Sequence, residues 1–152
     1  MTVESVKKSV LVAAPQEKAF RVFTERLDAW WPRSHKIGTA PMAKAVLEPR
    51  EGGRWFEIGD DGNECDWGRV LSWEPHSRVV LDWQITGAWQ FDPKLHTTVE
   101  VRFIPEGAQT RVELEHRDLE RFGEKAAEVI AAFSGPGGWS GLLAGFGAEA
   151  TR

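Results

Sequence analysis

TTVEVRFIPEGAQTRVELEH, residues 97–116, is two strands and a turn written in period two. In its first half Val99, Val101 and Phe103 fall on one face, with Thr98, Glu100 and Arg102 on the other. In its second half Val112, Leu114 and His116 share a face against Arg111, Glu113 and Glu115. Glu106, Gly107 and Ala108 sit between them as the turn. Strict alternation means a sheet with one dry face and one wet face, which is the habit of antiparallel strands rather than of a buried parallel sheet.

Working outward, turn-forming residues recur at Gly52 and Gly53, Asp60 to Glu64, Glu74 to Ser77, and Asp92 and Pro93. They divide residues 42–117 into strand-like runs at 42–49, 54–59, 65–73, 78–86, 95–104 and 109–117. An earlier run, 3–13, supplies one more strand, ended by Pro15. The stretch APQEKAFRVFTERL, residues 14–27, changes to helical spacing through Ala19, Phe20, Val22, Phe23 and Leu27. A short second helix is expected over 25–31, stopping at Pro32. Near the C-terminus LERFGEKAAEVIAAF, residues 119–133, reads as one helix. The glycines and proline of SGPGG, residues 134–138, then break it. Trp139, Leu142, Leu143 and Phe146 follow at i, i+3, i+4 and i+7, the apolar stripe of a last helix. The order is strand, helices, six strands, helices: one α+β domain over residues 1–152, its antiparallel sheet of about seven strands curled around a long C-terminal helix.

Composition narrows the function. The chain has 152 residues, eight Trp, eight Phe, no Tyr and a net charge of −4. An acidic chain lacks the basic field that draws a protein to nucleic acid. No run nears the roughly 20 apolar residues of a membrane span, so neither membrane insertion nor a signal peptide is expected, and the cytoplasm is the default. The lone Cys65 excludes an internal disulfide framework. HExxH, CxxC pairs and a GxSxG elbow are all absent, and GPGGWSG lacks the Lys-Ser/Thr of a phosphate loop. No metal or cofactor is expected.

Five stretches in this order resemble the heat-shock protein 90 ATPase activator-like family of the START/Bet v 1-like (SRPBCC) superfamily. They are APQEKAFRVFT, EPREGGRWFEIGDDG, WGRVLSWEPHSRVVLDW, TTVEVRFIPEGAQTRVELEHRDLE and GGWSGLLAGF. The resemblance implies a helix-grip fold with a cavity between sheet and last helix, and no universal catalytic motif. The chaperone activators carry an extra N-terminal domain that this chain does not show.

Parity then nominates the cavity wall: Leu81, Trp83, Val99, Val101 and Leu114 from the sheet, with Trp139, Leu142 and Phe146 from the last helix. Trp31, Trp55 and Trp73 join them as aromatic candidates, and His35 and His116 as the polar ones. His116 is either a hydrogen-bonded strand end or, if it meets a ligand, a proton donor or acceptor. Glu57 is expected as a solvated strand residue, with a base facing the cavity as the other reading. Arg69 is expected outward, His96 on the wet face and His76 solvated in its turn. Periodicity leaves the register of Trp67 to Trp73 open, and a bulge would let Val70 and Trp73 both face in.

The leading functional reading is a domain that binds a small apolar or amphipathic molecule. Two others stay open. One is an enzyme using the same cavity for general acid/base chemistry on a small organic substrate. The other is an interaction module for a chaperone or regulatory partner, or for a second copy of the chain as a homodimer.

Overall fold

The computed structural model describes residues 4–152. Seven strands form one antiparallel sheet: β1 (Val6–Val12), β2 (Met42–Leu47), β3 (Arg54–Gly59), β4 (Glu64–Glu74), β5 (Arg78–Trp83), β6 (Thr97–Glu106) and β7 (Gln109–Arg117). Their spatial order is β1-β7-β6-β5-β4-β3-β2, so β2 to β7 form a meander and β1 closes onto its last strand. The opening hairpin keeps perfect register, from Thr98 opposite Arg117 to Glu106 opposite Gln109. Val99, Val101, Phe103, Val112, Leu114 and His116 are all buried, as their parity requires.

Two helices follow β1: α1 (Gln16–Thr24) and α2 (Leu27–Trp30). After β7 come a 3₁₀ segment (Leu119–Lys125), α3 (Ala126–Ser134) and α4 (Trp139–Thr151). Residues 119–133 are therefore not one helix. Gly123 adopts φ +61° and divides the segment, so helical spacing on either side of it does not add up to a single rod. The second helix is also shorter than expected, and β5 ends at Trp83 rather than at 86.

Helix α4 lies on β1, α1, α2 and α3, and buries Trp139, Leu142, Leu143 and Phe146 as one stripe. The sheet curls over it as a half barrel, giving the helix-grip architecture. Strand β4 carries two extra residues, each a β-bulge. Trp55 faces Gly68 while Phe56 faces Asp66, leaving Trp67 unopposed on that side. Val70 faces Leu81 while Ser72 faces Val80, leaving Leu71 unopposed on the other. Each bulge resets the alternation. Trp67 and Val70 are thereby both buried, and Trp73 packs against the core, while Arg69 and Leu71 are exposed. Between the bulges the strands meet so closely that a Cβ on Gly68 would lie 1.6 Å from the carbonyl oxygen of Asp82.

Candidate functional site

Leu81, Val99, Val101, Leu114 and Phe146 are each at most 1% exposed and form part of one continuous apolar interior. The open space between sheet and last helix lies at one end of the grip, lined by Trp67 and Trp83 from the sheet and by Trp139 and Leu142 from α4. A cleft of about 570 Å³ opens between the residues after α2, the ends of β4 and β5, and the α3–α4 junction.

Five indoles wall it: Trp31, Trp67, Trp83, Trp89 and Trp139. Phe133, Ile85 and Leu142 complete the apolar surface, and Gly135 to Gly138 form one rim. Of the residues nominated from sequence, Trp31, His35, Trp83, Trp139 and Leu142 stand on this wall. Trp55 stands directly behind it, its ring edge-on to Trp31, Trp67 and Trp83 at 6.2, 5.6 and 5.6 Å. Trp73 is elsewhere, against Phe20 with ring centres 5.0 Å apart. The GPGG break shapes the rim for a plain steric reason. Gly138 folds back so tightly on α3 that a Cβ there would sit 2.3 Å from the carbonyl oxygen of Phe133.

The indoles are held by their N–H groups. Trp31 donates to the carbonyl of His35 (2.9 Å) and Trp83 to that of Ile85 (3.0 Å). Trp67 donates to Glu57 Oε1 (2.9 Å), and Trp139 to His116 Nδ1 (3.2 Å). Such polar handles fix large apolar rings in one orientation. Trp89 is held differently. It is 48% exposed and adopts φ +60°, an uncommon backbone conformation for a bulky side chain. Its loop is pinned by the Ile85–Phe91 bridge, which leans the indole over the cleft beside Phe133.

His116 is wholly buried behind the wall. Thr97 donates its single hydroxyl proton to the carbonyl of Trp83 (2.9 Å), so the Thr97 oxygen must accept from His116 Nε2–H (2.9 Å). His116 Nδ1 in turn accepts from Trp139. The ring is the neutral Nε2–H tautomer with both nitrogens engaged, and burial pushes its pKa down to about 3. It also stacks on Phe133, with ring centres 4.5 Å apart. His116 thus braces three wall residues at once and offers no free nitrogen to a ligand.

Glu57 corrects its expectation as a solvated residue: it is 1% exposed. Oε1 accepts from the backbone N–H of Ile37 (2.6 Å) and from Trp67, and Oε2 accepts from the N–H of Gly38 (3.2 Å). Three donors make this burial tolerable for a carboxylate. They tie residues 36–38 to β3, and burial together with the Glu57 charge raises the neighbouring Cys65 thiol above its usual range. At the mouth, His35 Nε2 reaches the carbonyl of Gly137 at 2.7 Å, and its Nδ1 lies 3.1 Å from Ser34 Oγ.

Two other histidines lie outside the cleft. His96 Nδ1 contacts Asp82 Oδ2 at 2.6 Å, and burial, opposed by that hydrogen bond, raises the Asp82 pKa. His76 is only partly solvated, its ring edge resting on Phe20. Among the described residues no group of three or more His, Cys, Asp or Glu side chains is placed to hold a metal, and no helix is long and apolar enough to cross a membrane.

Phe133, Ile85, Ser34 and Lys36 were not singled out from sequence. Ser34, Lys36 and Phe133 lie beside a chain break, at Pro32 or at SGPGG, rather than on a periodic pattern, and Ile85 lies just past the end of β5.

Residues 13–148 match the family described as activator of Hsp90 ATPase homolog 1-like protein. Among solved structures, an anthrahydroquino-gamma-pyrone synthase, Txn09, is 41% identical, with 97% of each chain covered and a TM-score of 0.67. The self-sacrificing resistance protein CalC from Micromonospora echinospora is 31% identical, with 97% of this chain and 94% of that one covered and a TM-score of 0.70. The Aha1 dimer from Colwellia psychrerythraea, 14% identical at a TM-score of 0.65, shares the fold over 98% of this chain and 97% of its own. No functionally curated protein matches significantly. The chain belongs to the activator of Hsp90 ATPase homolog 1-like family, within the SRPBCC/Bet v 1-like superfamily.

Proposed function

We propose that this family member takes up a flat, fused-ring aromatic small molecule in the indole-walled cleft. The observation that carries the reading is the wall itself: five tryptophans and Phe133 around about 570 Å³. Clefts of this size suit small organic ligands, and aromatic faces favour a planar guest through offset or edge-to-face contacts. The kinship at 41% identity with a protein named as an anthrahydroquino-gamma-pyrone synthase supports a guest of about that shape. Burying roughly 300 Å² of such a guest at about 25 cal/mol/Å² gives about 7 kcal/mol before association costs, hence micromolar or weaker affinity.

The same kinship favours a second reading, that the cleft also closes a ring on its guest. The wall offers little acid or base for this: His35 and Lys36 are its titratable side chains, and His116 is closed off behind it. Catalysis here would rest chiefly on holding a flexible chain in its reactive shape, which alone can supply a large part of a cyclisation barrier.

Titration with an uncharged tricyclic such as 2-(hydroxymethyl)anthraquinone, followed by calorimetry, tests the binding reading. Saturable one-to-one uptake supports it. No uptake at the solubility limit, with no rise in melting temperature, sinks it.

A further inference from the structure

The ionisable side chains that line the cleft are all basic. Its lining contains Ser34, His35 and Lys36 in a single corner and not one acidic side chain. That is opposite to the chain as a whole, which has 23 acidic residues against 19 Lys and Arg. Behind the wall, Glu57 has both carboxylate oxygens engaged by Ile37, Gly38 and Trp67. Its charge is spent on holding the loop that carries the corner.

The corner keeps donor capacity. Lys36 Nζ gives one hydrogen bond to the carbonyl of Gly38 at 2.7 Å, and an ammonium has two more N–H groups. His35 Nε2 donates to Gly137 across the mouth, a contact an entering oxygen can replace. Ser34 Oγ stands on the other side of the same ring.

Building on the proposed uptake of a fused-ring aromatic, we infer that the ligand carries an ionised acidic oxygen, a carboxylate or phenolate, at one end. The rings lie among the indoles, and the acidic oxygen is received by Lys36 and His35, with Ser34 beside them. A charge-assisted bond in a half-enclosed site is stronger than a neutral one, so the anion should bind about tenfold tighter than an uncharged analogue of equal shape.

The test compares 9,10-anthraquinone-2-carboxylate with 9,10-anthraquinone-2-carboxamide, measured by calorimetry on the wild-type chain, Lys36→Met and His35→Gln. The wild type should prefer the carboxylate about tenfold, and added salt should narrow the gap. Lys36→Met should cut the preference below about threefold, and His35→Gln should act in the same direction. Both variants alter partly exposed loop residues, and an unchanged melting temperature verifies their fold. Equal or better binding of the carboxamide to the wild type overturns the acidic-ligand inference alone. So does a preference that survives in both variants. If neither compound binds, the cleft reading falls and takes this inference with it.

Discussion

His116 should make the protein measurably less stable just below neutral pH. In the folded chain its pKa is lowered to about 3 from the usual 6.5, through complete burial. The unfolded chain therefore binds the proton first. The neutral ring's contribution is complete above about pH 6.5, and it is lost progressively as the pH falls from there towards 3. Within that window the loss is about 1.4 kcal/mol per pH unit. Between pH 7 and pH 5 the same relation gives about 2 kcal/mol from this one residue. His116→Gln isolates the effect. Glutamine can accept from Trp139 with its oxygen and donate to Thr97 with its nitrogen, but it does not titrate. The variant should be weaker at pH 7 by about 1–2 kcal/mol, through the lost ring stack on Phe133. It should also lose about 2 kcal/mol less than the wild type on going to pH 5. Urea unfolding followed by indole emission at the two pH values measures the difference, in which the other titrating groups cancel. Equal losses in the two proteins would refute the claim that His116 stays neutral in the folded state.

Gly68→Ala places a methyl group on the Asp82 carbonyl, where backbone must move. It should cost about 4 kcal/mol or more, or prevent folding, as read by thermal melting; a loss under 1 kcal/mol would contradict the close strand approach. Glu57→Gln turns an amide N–H₂ towards at least one backbone N–H, so about 1–3 kcal/mol should be lost. Faster amide hydrogen exchange at Ile37 and Gly38 should accompany it. Trp89→Asn relieves a positive φ that asparagine tolerates better. Stability should hold or rise by about 1 kcal/mol, while aromatic ligands bind several-fold more weakly. Unchanged affinity would remove Trp89 from the wall.

Sheet and helix grip were legible because the hairpin at 97–116 and the stripe from Trp139 to Phe146 each keep one period throughout. Parity buried Val99, Val101, Leu114 and His116 correctly, and it set Trp83 inward. It could not orient Trp67 or Trp73, because β4 holds two bulges and each shifts the alternation by one residue. The location of the cleft was harder still. Sequence pattern identifies what is buried, and a buried residue in a close-packed interior lines nothing. The wall is built largely at chain breaks, after Pro32, around Trp89 and across Gly135 to Gly138, where no periodicity operates. The burial of Glu57 was not legible for a similar reason. Its burial depends on backbone donors brought from residues 37 and 38, about twenty positions earlier in the chain.

The most direct test of the account is the indole region of a ¹H–¹⁵N correlation spectrum, where each of the eight tryptophans contributes one N–H signal. Adding 2-(hydroxymethyl)anthraquinone should shift the signals of Trp31, Trp67, Trp83, Trp89 and Trp139 and leave Trp73, packed on Phe20 away from the cleft, in place. A spectrum that does not change, or one in which Trp73 moves most, would contradict the indole-walled cleft as the place where this protein binds its ligand.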